Sequence, residues 1–219
     1  MFRVMILGVM AACLTVSFSY ADKLTEDFEG DTKKWEMEGA AKAVTEQFHG
    51  GAKSLQVLSK GKATWVFSKE DKFGKFVIWV YDSKVGKVKK DKNPNGPSFG
   101  IQNADGEQFK MGLVGRPSGN NYGSYYWNST PENGYRSWWS FDKSQFIGGK
   151  VKQGWHKFTF NRPDAKKLTV DIDDAGEIEV DVEKAVWTTG FSAVFAAGGN
   201  GLGGEAETFC FDDIEIEQK

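Results

Sequence analysis

Apolar and polar residues alternate along most of this chain, and glycine-rich turns separate the alternating runs. In an extended backbone, a period of two sends successive side chains to opposite faces, which is the pattern of half-buried strands. The pattern predicts strands near Leu24–Glu29, Ala41–Phe48, Lys53–Leu58, Ala63–Phe67, Lys75–Tyr81, Ser98–Gln102 and Gln108–Val114. It predicts further strands near Tyr122–Trp127, Arg136–Phe141, Trp155–Phe160, Lys167–Asp173, Glu177–Glu183, Phe191–Ala196 and Thr208–Glu217. No segment carries a helical period. Many short strands without helices predict an all-β fold, a two-sheet antiparallel β-sandwich of the jelly-roll kind.

Two runs are apolar on both faces. In KFVIWVYD, Phe76, Ile78 and Val80 share one face while Val77, Trp79 and Tyr81 share the other; FSAVFAA behaves alike. Such a strand is covered on both sides. One face meets the partner sheet, and the other needs a covering loop or a groove that accepts a ligand. The end of the chain, FCFDDIEIEQK, poses a related problem. Strict alternation puts Phe209 and Phe211 on one face and Ile214 and Ile216 on the other. Either a β-bulge interrupts the strand at Asp212-Asp213, or Asp212 points inward and needs a compensating partner. A calcium held by oxygen ligands is one such partner in an extracellular protein.

LTVDIDDAGEIEVDVE reads as a hairpin turning at Asp174-Ala175-Gly176. Leu168, Val170, Ile172, Ile178, Val180 and Val182 would face inward. Asp171, Asp173, Glu177, Glu179, Asp181 and Glu183 would then crowd one outer face, where like charges repel and require water, counterions or a metal.

The termini and the charge bound the location. MFRVMILGVMAACLTVSFSYA has one Arg, an apolar run and a small-residue end at Ala21, so residues 1–21 are expected to be a secretory signal and 22–219 a single domain. A lipoprotein route through Cys13 ranks second. Without Arg3 the 28 basic residues become 27, against 30 acidic ones, a net charge of −3. Nothing here marks a nucleic-acid binder, and no later apolar run is long enough to span a membrane. The expected location is secreted, periplasmic or cell-envelope. Cys210 is then the one remaining cysteine and cannot form an internal disulfide.

Asn120–Phe141, NNYGSYYWNSTPENGYRSWWSF, holds four tyrosines, three tryptophans and a phenylalanine among small polar residues. Flat aromatic faces stack on the apolar C–H patches of pyranose rings, and Asn or backbone groups bond the hydroxyls. The expected ligand-binding residues are Tyr126, Trp127, Asn128, Trp138 and Trp139, with Asn120 and Asn121 beside them and Trp79 on the concave face. The competing reading has these rings capping the sandwich under long loops. His49, in a turn before Gly50-Gly51, and His156, alternating with Phe158 and Phe160, read as structural. Asn128-Ser-Thr130 matches a glycosylation acceptor.

The opening DFEGD..W, the segment FHGGAKSLQV, the stretch GWHKFTFNRPDAKKLTVDIDD and the closing FDDIEIE resemble the frame of secreted β-jelly-roll modules. These are the carbohydrate-binding modules and the concanavalin A-like, LamG-like domains. The resemblance implies that the first and last strands pair. It also implies a structural calcium held by Glu29 and by Asp212 or Asp213. Separately, Glu179-Val-Asp181-Val-Glu183 resembles the catalytic strand of laminarinase-type and licheninase-type glucanases. That likeness would make Glu179 the nucleophile, Asp181 the helper and Glu183 the acid of a retaining mechanism. Against it, the same alternation recurs at Asp213-Ile-Glu215-Ile-Glu217, and no aromatic residue adjoins the segment until Trp187. The expected function is therefore an exported, non-catalytic module that recognises a polysaccharide or other glycan. The alternatives are a laminarinase-type glycoside hydrolase and an envelope protein of structural or protein-binding role.

Overall fold

The computed structural model describes residues 22–58, 60–82, 95–114, 124–130, 139–140, 154–180, 188–198 and 210–219; for 22, 82, 95–97, 112–114, 124–130 and 139–140 it describes the backbone alone. The expected leader lies outside these residues. The strands are β1 (Asp22–Glu26), β2 (Glu36–Glu38), β3 (Ala41–Val44), β4 (Ser54–Val57), β5 (Lys62–Val66), β6 (Gly74–Asp82), β7 (Asn95–Gln102) and β8 (Gln108–Val114). They continue with β9 (Ser124–Thr130), β10 (Trp139–Ser140), β11 (Gly154–Asp164), β12 (Lys167–Ile172), β13 (Ile178–Val180), β14 (Ala193–Ala197) and β15 (Cys210–Gln218).

These strands form two antiparallel sheets, an all-β sandwich. The first has the order β13-β12-β11-β6-β15-β4-β3, with β1 also on β15, and the second β10-β9-β8-β7-β14-β5-β2. The first and last strands do pair, from Asp22↔Gln218 to Glu26↔Ile214. The short strand β2 was not anticipated, because three residues, Glu-Met-Glu, carry too little alternation to stand out.

The core lies between the sheets. Phe76, Ile78 and Val80 of β6, Phe158 and Phe160 of β11, and Leu168, Val170 and Ile172 of β12 come from the first sheet. Phe99 and Ile101 of β7, Phe109 and Met111 of β8, and Val194 and Ala196 of β14 come from the second. Rings meet across the gap: Phe99 lies 4.7 Å edge-on to Phe158, and Phe109 lies 6.1 Å from Phe160. Aromatic pairs in this geometry contribute beyond the area they bury.

The terminal strand resolves its parity problem with a bulge. Asp212 pairs with Trp79 and Glu215 with Val77, so three residues of β15 span two steps of β6. Asp213 takes a left-handed φ of 43° at that point. The extra residue flips the alternation, so that Phe211, Ile214 and Ile216 all enter the core. Asp212 points away from the core and is nevertheless 0% exposed.

The β12–β13 turn falls one residue earlier than the sequence pattern places it. Ala175 N donates to Ile172 O at 3.2 Å, and Asp173 and Asp174 take φ values of 58° and 54°. Two consecutive left-handed residues at the centre of a turn follow the twist of the flanking strands and favour glycine at the second position. Asp174 also holds Lys157 Nζ in an exposed pair at 3.0 Å, the kind worth little net stability. Asp174→Gly is therefore expected to stabilise the fold by about 0.5 kcal/mol through relief of backbone strain. A chemical melt reads this directly; a loss of stability would show that the ion pair outweighs the strain.

Two buried polar anchors complete the frame. Glu26, at the end of β1, accepts bonds from Phe28 N at 2.8 Å and Trp35 Nε1 at 2.9 Å, and Lys34 Nζ lies 3.0 Å away. Arg162, on β11, is 0% exposed. Its Nε donates to Thr189 O at 3.2 Å, its Nη1 to Lys167 O and its Nη2 to Ala165 O, both at 3.1 Å. One guanidinium thus ties the β11–β12 turn to the segment that leads into β14.

Candidate functional site

The second face of β6 needs a cover, and the described structure supplies one. Trp79 and Tyr81 leave the core side of the strand and are half-buried. In register beside Tyr81 stands Trp155 of β11, and beside Trp79 stand Lys157 on one flank and Asp212 on the other. The loop between Val44 and Ser54 crosses this face. It lays the imidazole of His49 flat on the Trp79 indole, with centroids 3.7 Å apart and planes 17° apart. Trp155 meets the same imidazole edge-on at 5.6 Å and lies 5.4 Å from Tyr81. The result is a partly wet aromatic wall. The His49 side chain is 29% exposed, and the preceding Phe48 is 43% exposed. The Trp155 indole N–H is buried and has no acceptor, an unmet donor of a kind that native structures rarely leave.

Carboxylates fix the covering loop. Asp212 Oδ2 accepts bonds from His49 N at 2.8 Å and Gly50 N at 3.2 Å, and Oδ1 accepts from Asp213 N at 2.9 Å. Glu29 Oε1 accepts from Ala52 N at 2.6 Å and Lys53 N at 2.8 Å, and Lys53 Nζ donates to Glu29 O at 3.0 Å. Asp213 Oδ2 lies 2.6 Å from His49 Nδ1. The paired glycines make this approach possible. A Cβ on Gly50 would sit 2.7 Å from Asp213 Oδ2, and Gly51 has a φ of +61°.

Burial pushes the Asp212 carboxyl up to about 6; the amide bonds from His49, Asp213 and Gly50 oppose the shift and the neighbouring Asp213 charge adds to it. Cys210, two residues away on the same strand, is buried, and burial pushes its thiol up to about 11 against a hydrogen bond from Ser54. A thiol held that high is no nucleophile near neutral pH.

The three carboxylates expected to hold calcium all reach one loop, where Asp212 and Glu29 accept backbone amides and Asp213 meets an imidazole. Among the described residues, no three His, Cys, Asp or Glu side chains are arranged to hold a metal ion.

The other expected site residues are placed as follows. Tyr126, Trp127 and Asn128 lie on β9, in register with Gly112, Met111 and Lys110, and Trp139 of β10 pairs with Trp127. Their side chains, and Trp138 altogether, lie outside the described residues, as do Asn120 and Asn121. Of the acidic triplet, Glu179 is exposed on β13 at the edge of the first sheet, opposite Thr169; Asp181 and Glu183 lie outside the described residues. Around that hairpin the acids find nitrogen partners: His156 Nδ1 lies 2.7 Å from Asp173 Oδ2, and Lys167 Nζ lies 3.8 Å from Glu177 Oε2.

His49 and Trp155 were not foreseen as site residues. Their partners stand far away in the chain, His49 and Asp213 being 164 residues apart, and no local pattern encodes such a contact. The one available signal was the doubly apolar strand around Trp79, whose outer face required a cover.

No family model matches the chain, and no curated protein matches it by sequence. Solved structures do resemble it. The Crh5 transglycosylase in complex with NAG superposes with a TM-score of 0.55 at 14% identity, over 90% of this chain and 83% of that one. A mixed-linkage glucan GH16 protein of Bacteroides ovatus, in complex with a product, gives 0.58 at 15%, over 88% and 99%. The cellulose-induced protein Cip1 gives 0.54 at 12%, over 88% and 96%. The likeness is one of fold. It establishes the concanavalin-like jelly roll and assigns no residue of this chain a role. Among the described residues, no helix is long and apolar enough to cross a membrane.

Proposed function

We propose that this protein is an exported, non-catalytic glycan-binding β-sandwich in which sugar rings stack on aromatic side chains. The observation that carries this reading is the half-exposed wall of Trp79, Trp155 and Tyr81 on the outer face of the first sheet. Indole and phenol faces there are apolar but wet at their edges. Three further points support it. The leader-like start of the chain fits export. The structures that share the fold are described as a transglycosylase with NAG, a glucan-locus GH16 protein and a cellulose-induced protein. Glu179 stands exposed on an edge strand, three strands away from Trp79.

A fluorescence or calorimetric titration of residues 22–219 with a panel of oligosaccharides tests the reading. Trp79→Ala is expected to weaken binding at least about tenfold, roughly 1.4 kcal/mol. Trp155→Phe, which keeps a ring and removes the N–H, is expected to weaken it less. Binding that ignores Trp79→Ala would move the site elsewhere, and no binding to any glycan would favour the structural or protein-binding alternative. Release of reducing sugar, lost in Glu179→Gln, would favour the hydrolase.

A further inference from the structure

His49 does something a covering residue need not do: it puts a flat ring face-on against Trp79 while its edge nitrogen touches a carboxylate. The centroid separation is 3.7 Å, the tilt 17°, and the contact of Nδ1 with Asp213 Oδ2 is 2.6 Å. That is the contact set a stacked ligand with a donor on its rim would make. We propose that Trp79 and Asp213 form a binding site for an amino sugar, whose place the imidazole of His49 holds in the free protein. This rests on the glycan-binding reading above and names the class of sugar.

Two features make the imidazole a replaceable occupant. The backbone of its loop is pinned independently, by Asp212 on the His49 and Gly50 amides and by Glu29 on the Ala52 and Lys53 amides. The side chain can therefore swing out by rotation about its own bonds while the loop stays. It is also partly exposed already, so water can receive it.

Charge selects the amine. With the imidazole withdrawn, Asp213 Oδ2 loses the ring nitrogen that now lies 2.6 Å from it. A neutral sugar offers the Asp213 carboxylate only a hydroxyl donor, whereas an ammonium group at the ring edge makes a charge-assisted bond to it and adds a cation over an indole. The nearby lysines are otherwise engaged: Lys53 Nζ donates to Glu29 O, and Lys157 Nζ donates to Asp174 at 3.0 and 3.2 Å. The pyranose ring supplies the apolar face that His49 now presents to Trp79.

The test uses the chain from residue 22 onward, at one fixed, mildly acidic pH, with chitosan oligosaccharides, N-acetylated chitin oligosaccharides, cello-oligosaccharides and a poly-lysine peptide. Chitosan is expected to bind about tenfold or more tighter than the two neutral sugars. Asp213→Asn should abolish that preference, and His49→Ala should tighten chitosan binding several-fold by removing the internal competitor. A readout free of any ligand accompanies this. Acrylamide quenching of tryptophan fluorescence should rise in His49→Ala, and the rise should vanish in His49→Ala/Trp79→Phe. Weaker chitosan binding in His49→Ala, or unchanged quenching, would overturn the placeholder role. Equal binding of amine and neutral sugars, or poly-lysine as tight as chitosan, would overturn the amino-sugar assignment and leave glycan binding standing. No binding of any sugar would remove the underlying reading, while the quenching result would still report whether His49 shields Trp79.

Discussion

Replacing Arg162 by lysine is expected to unfold this sandwich more readily than replacing it by methionine. The guanidinium is wholly buried and spreads three donors over the carbonyls of Ala165, Lys167 and Thr189. Its rigid fork matches three diverging acceptors, which an ammonium on a flexible stem cannot reach at once. Burial pulls the group's pKa below its ordinary value, with the charge of Asp164 pushing back. Arg162→Met removes both the charge and the bonds and leaves carbonyls under-satisfied; about 3 kcal/mol is the expected loss. Arg162→Lys keeps the buried charge while dropping most of its bonds, and should cost about 1 kcal/mol more. For a chain of this size each kcal/mol moves Tm by about 2–4 °C. Thermal melts of the two variants therefore separate cleanly. A lysine variant more stable than the methionine variant would show that charge matters there more than the fork.

That anchor was invisible in the sequence, and the reason is general. NRPD reads as the polar start of a turn, and the carbonyls that receive Arg162 belong to residues of no distinctive type. What alternation encodes is which face of a strand is apolar. It therefore revealed the strands, the facing of Phe76, Ile78 and Val80 towards the core, and the parity conflict at Asp212-Asp213. It could say that Trp79 needed a cover but could not name His49, because the contact joins a turn to a bulge at the far end of the chain. The bulge shows the same limit: the sequence admitted two solutions, a bulged strand or an inward-pointing Asp212, and the structure uses the bulge, with Asp212 buried on the outer face. Three paired acids at one loop were legible as a cluster with a purpose. That Asp212 and Glu29 accept amide N–H groups while Asp213 meets the His49 imidazole depended on the conformation of Gly50-Gly51, which no pattern of residue types reports. The aromatic run after Asn120 stays an expectation of the sequence.

The bulge carries the other large expected effect. Asp212→Ala removes an acceptor from the amides of His49, Gly50 and Asp213 together and loosens the loop over Trp79. Partly buried donors left without a partner cost roughly 1 kcal/mol or more each, so a loss of about 2 kcal/mol is expected at pH 7. The loss should grow on acidification, as the sign of the linkage requires. Burial raises the folded-state pKa of Asp212 to about 6 from an ordinary 3.8. The native state then holds the proton more tightly than the unfolded chain, and the stabilisation this supplies is complete below 3.8 and lost as pH rises through 6. Alanine has no proton to hold. The difference between wild type and Asp212→Ala is thus expected to widen by roughly 2 kcal/mol between pH 7 and pH 4, other groups cancelling in the comparison. Denaturant melts at a series of pH values measure it. The same melts with calcium and with EDTA decide what offsets the charge of Asp212. If the three amides suffice, neither addition moves the midpoint. If the midpoint rises with calcium and falls with EDTA in wild type but not in Asp212→Ala, a cation binds the native state there, and the amides are its second layer of support. A difference that narrows towards pH 4 would mean that the amide bonds outweigh burial and that the folded-state pKa lies below 3.8.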